Sequence, residues 1–229
     1  MKTIGMVGGT GWVSTAEYYR LINTLSNQRL GGLHTVKIIL YSLNYGEVDI
    51  INRTGKQEDL WQLIRTAAEA VEKAGADFLI LCANTMHQFA PKIHGEIKIP
   101  LVHIAEETAK EVVKKGFSSV GLLGTRYTME MDFYHDKLRE RGITTIVPDE
   151  ASRLFIHNTI MNELLAEKFN PKSKRQFLKI INGLAKQGVE GIILGCTEIP
   201  LLIKPEDTSL PLFNTTEIHA RAAVEFALG

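Results

Sequence analysis

The chain has 229 residues, 45% of them hydrophobic, enough for one large domain or two of roughly 100 residues each. Lys+Arg and Asp+Glu both total 26 and the basic residues are scattered, so neither nucleic acid nor an anionic membrane is an expected partner. The first nine residues are too short and too Gly-rich for a signal peptide, and no apolar run nears the ~20 residues of a bilayer span, so a cytoplasmic protein is expected.

In chain order, short apolar, β-branched runs are predicted as strands over residues 2–8, 36–43, 77–83, 101–104, 119–124, 144–148, 191–196 and 211–213. Amphipathic stretches between them predict helices, for example over 14–30, 56–74, 106–115, 129–141 and 173–187. Alternation of this kind argues for an α/β fold with parallel sheets covered on both faces. Ser14 with Glu17 three residues later reads as a capping box, placing a helix start just after the Gly8-Gly9-Thr10-Gly11 turn. The same turn hints at dinucleotide binding, but it lacks the full Gly-x-Gly-x-x-Gly spacing, since Val13 and Ser14 follow Trp12.

An internal repeat is the informative feature. Ala74-Gly75-Ala76-Asp77-Phe78-Leu79-Ile80-Leu81-Cys82-Ala83-Asn84-Thr85 lies over Gln187-Gly188-Val189-Glu190-Gly191-Ile192-Ile193-Leu194-Gly195-Cys196-Thr197-Glu198 without a gap, at a constant offset of 113. A weaker match sets Ile4-Gly5-Met6-Val7-Gly8-Gly9 over Val120-Gly121-Leu122-Leu123-Gly124-Thr125 at offset 116. Buried strands that follow a glycine look alike in general, but here the polar residues continue the match past the apolar part. Two similar α/β domains related by a pseudo-twofold axis are therefore expected, one from residues 1–105 with 210–229 and the other from 106–209. Ligands of open α/β sheets bind at strand carboxyl ends, so the active site is expected between the halves.

Gly-Gly-Thr-Gly at residues 8–11, Asn84-Thr85, and Gly195-Cys196-Thr197-Glu198 together resemble the aspartate/glutamate racemase family. The similarity extends to Arg29-Leu30-Gly31-Gly32-Leu33-His34, residues 81–87, Leu123-Gly124-Thr125-Arg126-Tyr127-Thr128-Met129 and Ile218-His219-Ala220, over essentially the whole chain. The bacterial branch acting on L-aspartate and L-glutamate is the nearest resemblance. It implies a racemase, usually a homodimer, that works without pyridoxal phosphate; no lysine here sits in a recognisable site motif for that cofactor. Without it, a strong base must stand close to Cα, and hydrogen bonds must hold the carboxylate that gathers enediolate charge. A thiolate suits if nearby donors lower its pKa. Inversion needs proton removal on one face and delivery on the other, hence one group from each half.

By resemblance, Cys196 is the base for the L-enantiomer, and the first acid/base belongs immediately before Asn84. That place is Ala83, with Cys82 one residue earlier. The repeat gives the same pairing, Cys196 with Ala83 and Gly195 with Cys82. Side chains alternate along a strand, so Cys82 is expected in the core, facing away from the site. The resemblance puts threonine at this place in the L-specific branch. A half-site, an introduced substitution and a changed reaction each account for alanine, and net racemisation is expected to be impaired. The two cysteines are too few for a disulfide framework and lack zinc spacing, so no metal is expected.

Asn84, Thr85 and Thr197 are candidates for the substrate α-carboxylate, with helix capping as the ordinary alternative. Thr10, Ser14 and Thr15 are candidates for the distal carboxylate, Glu47 for the ammonium group, and Thr125 for the cleft lining. Glu198 either orients the Cys196 thiol or caps a helix. Most histidines, including His87, His103 and His219, are expected to be structural. Two rival functions remain open, a cysteine-dependent decarboxylase resembling arylmalonate decarboxylase and a non-catalytic binder of acidic amino acids.

Overall fold

Seven strands and eleven helices alternate along residues 1–229, all described by a computed structural model. β1 (Ile4–Gly8), α1 (Trp12–Leu30), β2 (Ile38–Ser42), α2 (Tyr45–Thr54), α3 (Gln57–Lys73) and β3 (Phe78–Leu81) come first. A 3-10 turn (Thr85–Phe89), α4 (Ala90–Glu96), α5 (Ile104–Lys114), β4 (Ser119–Gly124), α6 (Arg126–Glu130) and α7 (Asp132–Arg139) follow. β5 (Thr144–Ile146), α8 (Glu150–Asn162), α9 (Pro171–Ala185), β6 (Gly191–Gly195), α10 (Ile199–Leu202), β7 (Leu212–Asn214) and α11 (Thr215–Leu228) complete the chain. No helix is long and apolar enough to cross a membrane.

Two compact units result, Met1–His103 with His219–Gly229, and Ile104–Ile218. The first holds a parallel sheet of order β2-β1-β3, the second one of order β5-β4-β6-β7. The return to the first unit therefore falls at His219, not at residue 210. β7 pairs with β6 through Ile192↔Leu212 and Ile193↔Phe213, and Phe213 enters the second unit's core, so the ladder holds this strand there.

The strand registers reproduce the sequence repeat. β1 pairs Ile4 with Phe78; shifting each by its own offset leads to Val120 and Gly191, which β4 and β6 pair. The equivalence reaches a fourth position. Leu79 makes a lone parallel bridge to Leu101, as Ile192 does to Leu212 in β7. The strand predicted at 101–104 is thus reduced to that bridge, because α5 begins at Ile104.

In the first unit, alternate residues of β1 and β3 face opposite cores. Val7, Leu79 and Leu81 pack against Leu60, Trp61 and Ile64 of α3, whereas Ile4, Met6, Phe78 and Ile80 pack against Tyr18 and Ile22 of α1 and Ala220, Ala223 and Val224 of α11. Complete burial of each such large side chain is worth about 1.5–3 kcal/mol. In the second unit Leu123, Ile192 and Leu194 face Ile156, Phe177 and Ile181 of α8 and α9. Val120, Leu122 and Ile193 face Ala109 and Val112 of α5 and Tyr134 of α7.

The capping box does not form. α1 starts at Trp12 after Gly11, and Ser14 lies inside its first turn. Gly9 has φ +83°, and a side chain there would strike the Leu43 carbonyl, so the chain leaves β1 through a turn only glycine makes easily.

Candidate active site

Every candidate residue follows the carboxyl end of a strand in its own unit. Thr10 comes after β1, Glu47 after β2, Ala83, Asn84 and Thr85 after β3, Thr125 after β4, and Cys196 and Thr197 after β6. β1 adjoins β3, and β4 adjoins β6, so each unit gathers two such loops side by side.

Strand alternation decides the two cysteines. Cys82 continues the Phe78 and Ile80 face into the core under α1 and α11, where it is 1% exposed. Burial alone pushes its thiol far above the ordinary range. Ala83 continues the other face and is partly exposed. Its equivalent Cys196 follows Ile192 and Leu194 in the same way and is 9% exposed. Gly195, equivalent to Cys82, has little room for a side chain, since a Cβ would lie 3.0 Å from the Leu123 carbonyl and from a Thr128 methyl.

Cys196 Sγ donates to Glu198 Oε2 at 2.9 Å, and Glu198 is itself buried. The thiol is pushed well above its usual range, first by burial and then by the charge and hydrogen bond of Glu198, against smaller opposing effects of the Glu198 and Thr197 amides. The lowered pKa expected from nearby donors is therefore not found. Without substrate the thiol therefore keeps its proton, hydrogen-bonded to the Glu198 carboxylate.

Other candidates divide clearly. The Ser14 hydroxyl donates to the Cys82 carbonyl at 2.7 Å. Thr15 Oγ1 accepts from the Gly9 amide at 2.9 Å and donates to the Gly11 carbonyl at 3.2 Å. Both side chains are buried, and their hydroxyls bond to backbone groups that shape the turn. Thr125 caps α6, accepting from the Thr128 amide at 3.4 Å. Asn84 is buried and makes no side-chain capping bond to the 3-10 turn after it, and Glu198 makes none to α10. Thr10, Thr85 and Thr197 are partly exposed, and Glu47 is exposed in the first turn of α2. Thr215, which sequence reading did not single out, follows β7 and is fully buried, its hydroxyl donating to the Leu194 carbonyl at 2.9 Å and so tying the end of β7 to β6. Its only signal is a polar pair after a short apolar run.

The Asp/Glu/Hydantoin racemase family model matches residues 7–223. The chain belongs to that family. It is 23% identical over 227 residues to the broad specificity amino-acid racemase RacX of Bacillus subtilis, covering 96% of each chain. A Yersinia pestis structure provisionally described as an Asp/Glu racemase is 43% identical, with TM-score 0.93 and all of both chains covered. An aspartate racemase homologue from Pyrococcus horikoshii OT3 is 35% identical, with TM-score 0.87 and full coverage of both. The two parallel-sheet α/β units of this chain are those of its racemase relatives.

Proposed function

We propose that this chain is a cofactor-independent amino-acid racemase acting on L-aspartate or L-glutamate, with Cys196 as the base that takes the α-proton. The supporting observation is the Cys196–Glu198 pair at the end of β6, a thiol with its own proton acceptor 2.9 Å away. Asn84, Thr85 and Thr197 are assigned to the substrate α-carboxylate, Thr10 to the distal carboxylate, Glu47 to the ammonium group and Thr125 to the site wall. As proton leaves Cα, negative charge gathers on the α-carboxylate, and donors already in place stabilise it most. Ala83 holds the position equivalent to Cys196 and has no proton to deliver, so return of the proton runs through Cys196. Exchange at Cα with retention is then fast, and net racemisation is slow.

Incubation of each L-amino acid with the protein in heavy water, followed by NMR and chiral analysis, tests this reading. Deuterium entering L-aspartate or L-glutamate ahead of any D-enantiomer is expected. Binding without exchange would leave an amino-acid binder. Carbon dioxide released from a disubstituted malonate would assign Cys196 to decarboxylation.

A cytoplasmic setting fits two free, buried thiols. A homodimer is supported by the edge strand β2, where Leu40 and Tyr41 are exposed, and by Leu33 nearby at 99% exposure. Sedimentation equilibrium with Tyr41→Lys as the disrupting variant tests it.

A further inference from the structure

Three of the seven histidines are buried together in the first unit, and proton transfer at Cys196 leaves them unexplained. His87 lies in the 3-10 turn after Asn84, His103 is the last residue before the chain leaves the unit, and His219 is the first after it returns. The His87 ring centroid is 4.8 Å from that of His103 and 5.3 Å from that of His219. Tyr18 of α1 meets His219 edge-on.

Their partners define the tautomers. A carbonyl only accepts, so His219 Nε2, 2.8 Å from the Val102 carbonyl, carries the proton. Its Nδ1 is then a lone pair and receives the Tyr18 hydroxyl at 2.8 Å. His87 Nδ1 stands 3.0 Å from the Ala83 carbonyl, so there the proton is on Nδ1. Burial holds both rings neutral: His87 falls well below the usual imidazole range and His219 is lowered to about 3, and the charge of a neighbouring histidine adds to each shift. The two rings thus do different work. His219 ties α1 to the segment at Val102, and His87 ties its turn to the residue that stands where an acid/base is missing. At offset 113 the second unit has Pro200, which has no such donor, so the tether is private to the first unit.

We propose that His87 is a positioning residue whose Nδ1–H holds the Ala83 carbonyl and so sets the angle at which Asn84 and Thr85 meet the substrate carboxylate, with His103 and His219 as its buried backing. The inference rests on the assignment of Asn84 and Thr85 to substrate made above. An asparagine at this position places an amide N–H close to that of Nδ1, whereas glutamine reaches toward the place of Nε2. His87→Gln is expected to lower kcat for α-deuterium exchange at least tenfold with a smaller rise in KM, and His87→Asn to recover most of the loss. Affinity for L-aspartate and L-glutamate by calorimetry should follow the same order, which tests the inference even if the parent protein shows no exchange. Imidazole nitrogen NMR of the parent at pH 7 should find Nδ1–H on His87 and Nε2–H on His219. Equal losses in the Asn and Gln variants, a change confined to melting temperature, or Nε2–H on His87 would overturn it. A parent that binds but never exchanges counts against the racemase reading instead.

Discussion

The β3 end and the β6 end are equivalent in register yet differ in what they present. After β6 the chain offers Cys196 with Glu198 as its acceptor; after β3 it offers a methyl group, with the thiol of Cys82 one residue earlier on the opposite face. A single step along a strand turns a side chain from one face of the sheet to the other, because successive side chains point to opposite faces. The first unit makes room for Cys82 between the sheet and α1, whereas the tight approach of Leu123 and Thr128 favours glycine at the equivalent Gly195. What the first unit has instead of a second thiol is His87, bonded to the Ala83 carbonyl.

The comparison breaks most readily at Cys196. Cys196→Ala removes the less deeply buried of the two thiols and is expected to lower α-deuterium exchange beyond ~10⁴-fold, the upper range for one acid/base. Retained exchange would show that the β6 end is not the base. Ala83→Cys sharpens the comparison from the other side. It should raise net racemisation by about 10²–10⁴-fold and allow both directions, with Ala83→Thr giving a smaller gain from the L side only. Chiral chromatography of the products reads both.

Glu198→Gln probes the acceptor. Because the charge of Glu198 helps to push the thiol up, its removal should move the midpoint of Cys196 alkylation to lower pH. Exchange should nonetheless fall by roughly tenfold, since the proton acceptor is gone. An unchanged alkylation profile would deny the coupling. Cys82→Ser should leave exchange intact while destabilising the fold by about 1–3 kcal/mol in urea unfolding, the cost of a hydroxyl in an apolar core. Loss of exchange without loss of stability would return Cys82 to the site.

The smallest effect belongs to the buried histidines. His219 has a folded pKa of about 3 against an ordinary 6.5, so the folded state binds fewer protons than the unfolded chain between these values. Stability is full above pH 6.5 and falls as acid protonates the unfolded form, by about 1.4 kcal/mol per pH unit for this group. His219→Phe should flatten that slope, as read from urea midpoints between pH 6 and roughly pH 4.

The repeat, the strands and the pairing of Ala83 with Cys196 were legible in the sequence because they depend on local period and on glycine spacing, which one linear pattern records. The offsets even anticipated the ladder register. Helix α11 was less visible: its buried Ala220, Ala223, Val224 and Ala227 have helical spacing but little hydrophobic contrast with their neighbours. Only the tertiary structure decided which sheet β7 joins, since a three-residue strand has no preference until a ladder partner is present. It alone engaged the Ser14 and Thr15 hydroxyls with backbone groups, and it alone brought Glu198 onto the thiol. The histidine cluster depends on it most, because residues 87, 103 and 219 share no spacing, and their tautomers follow from contacts that close only when the chain has left the unit and returned.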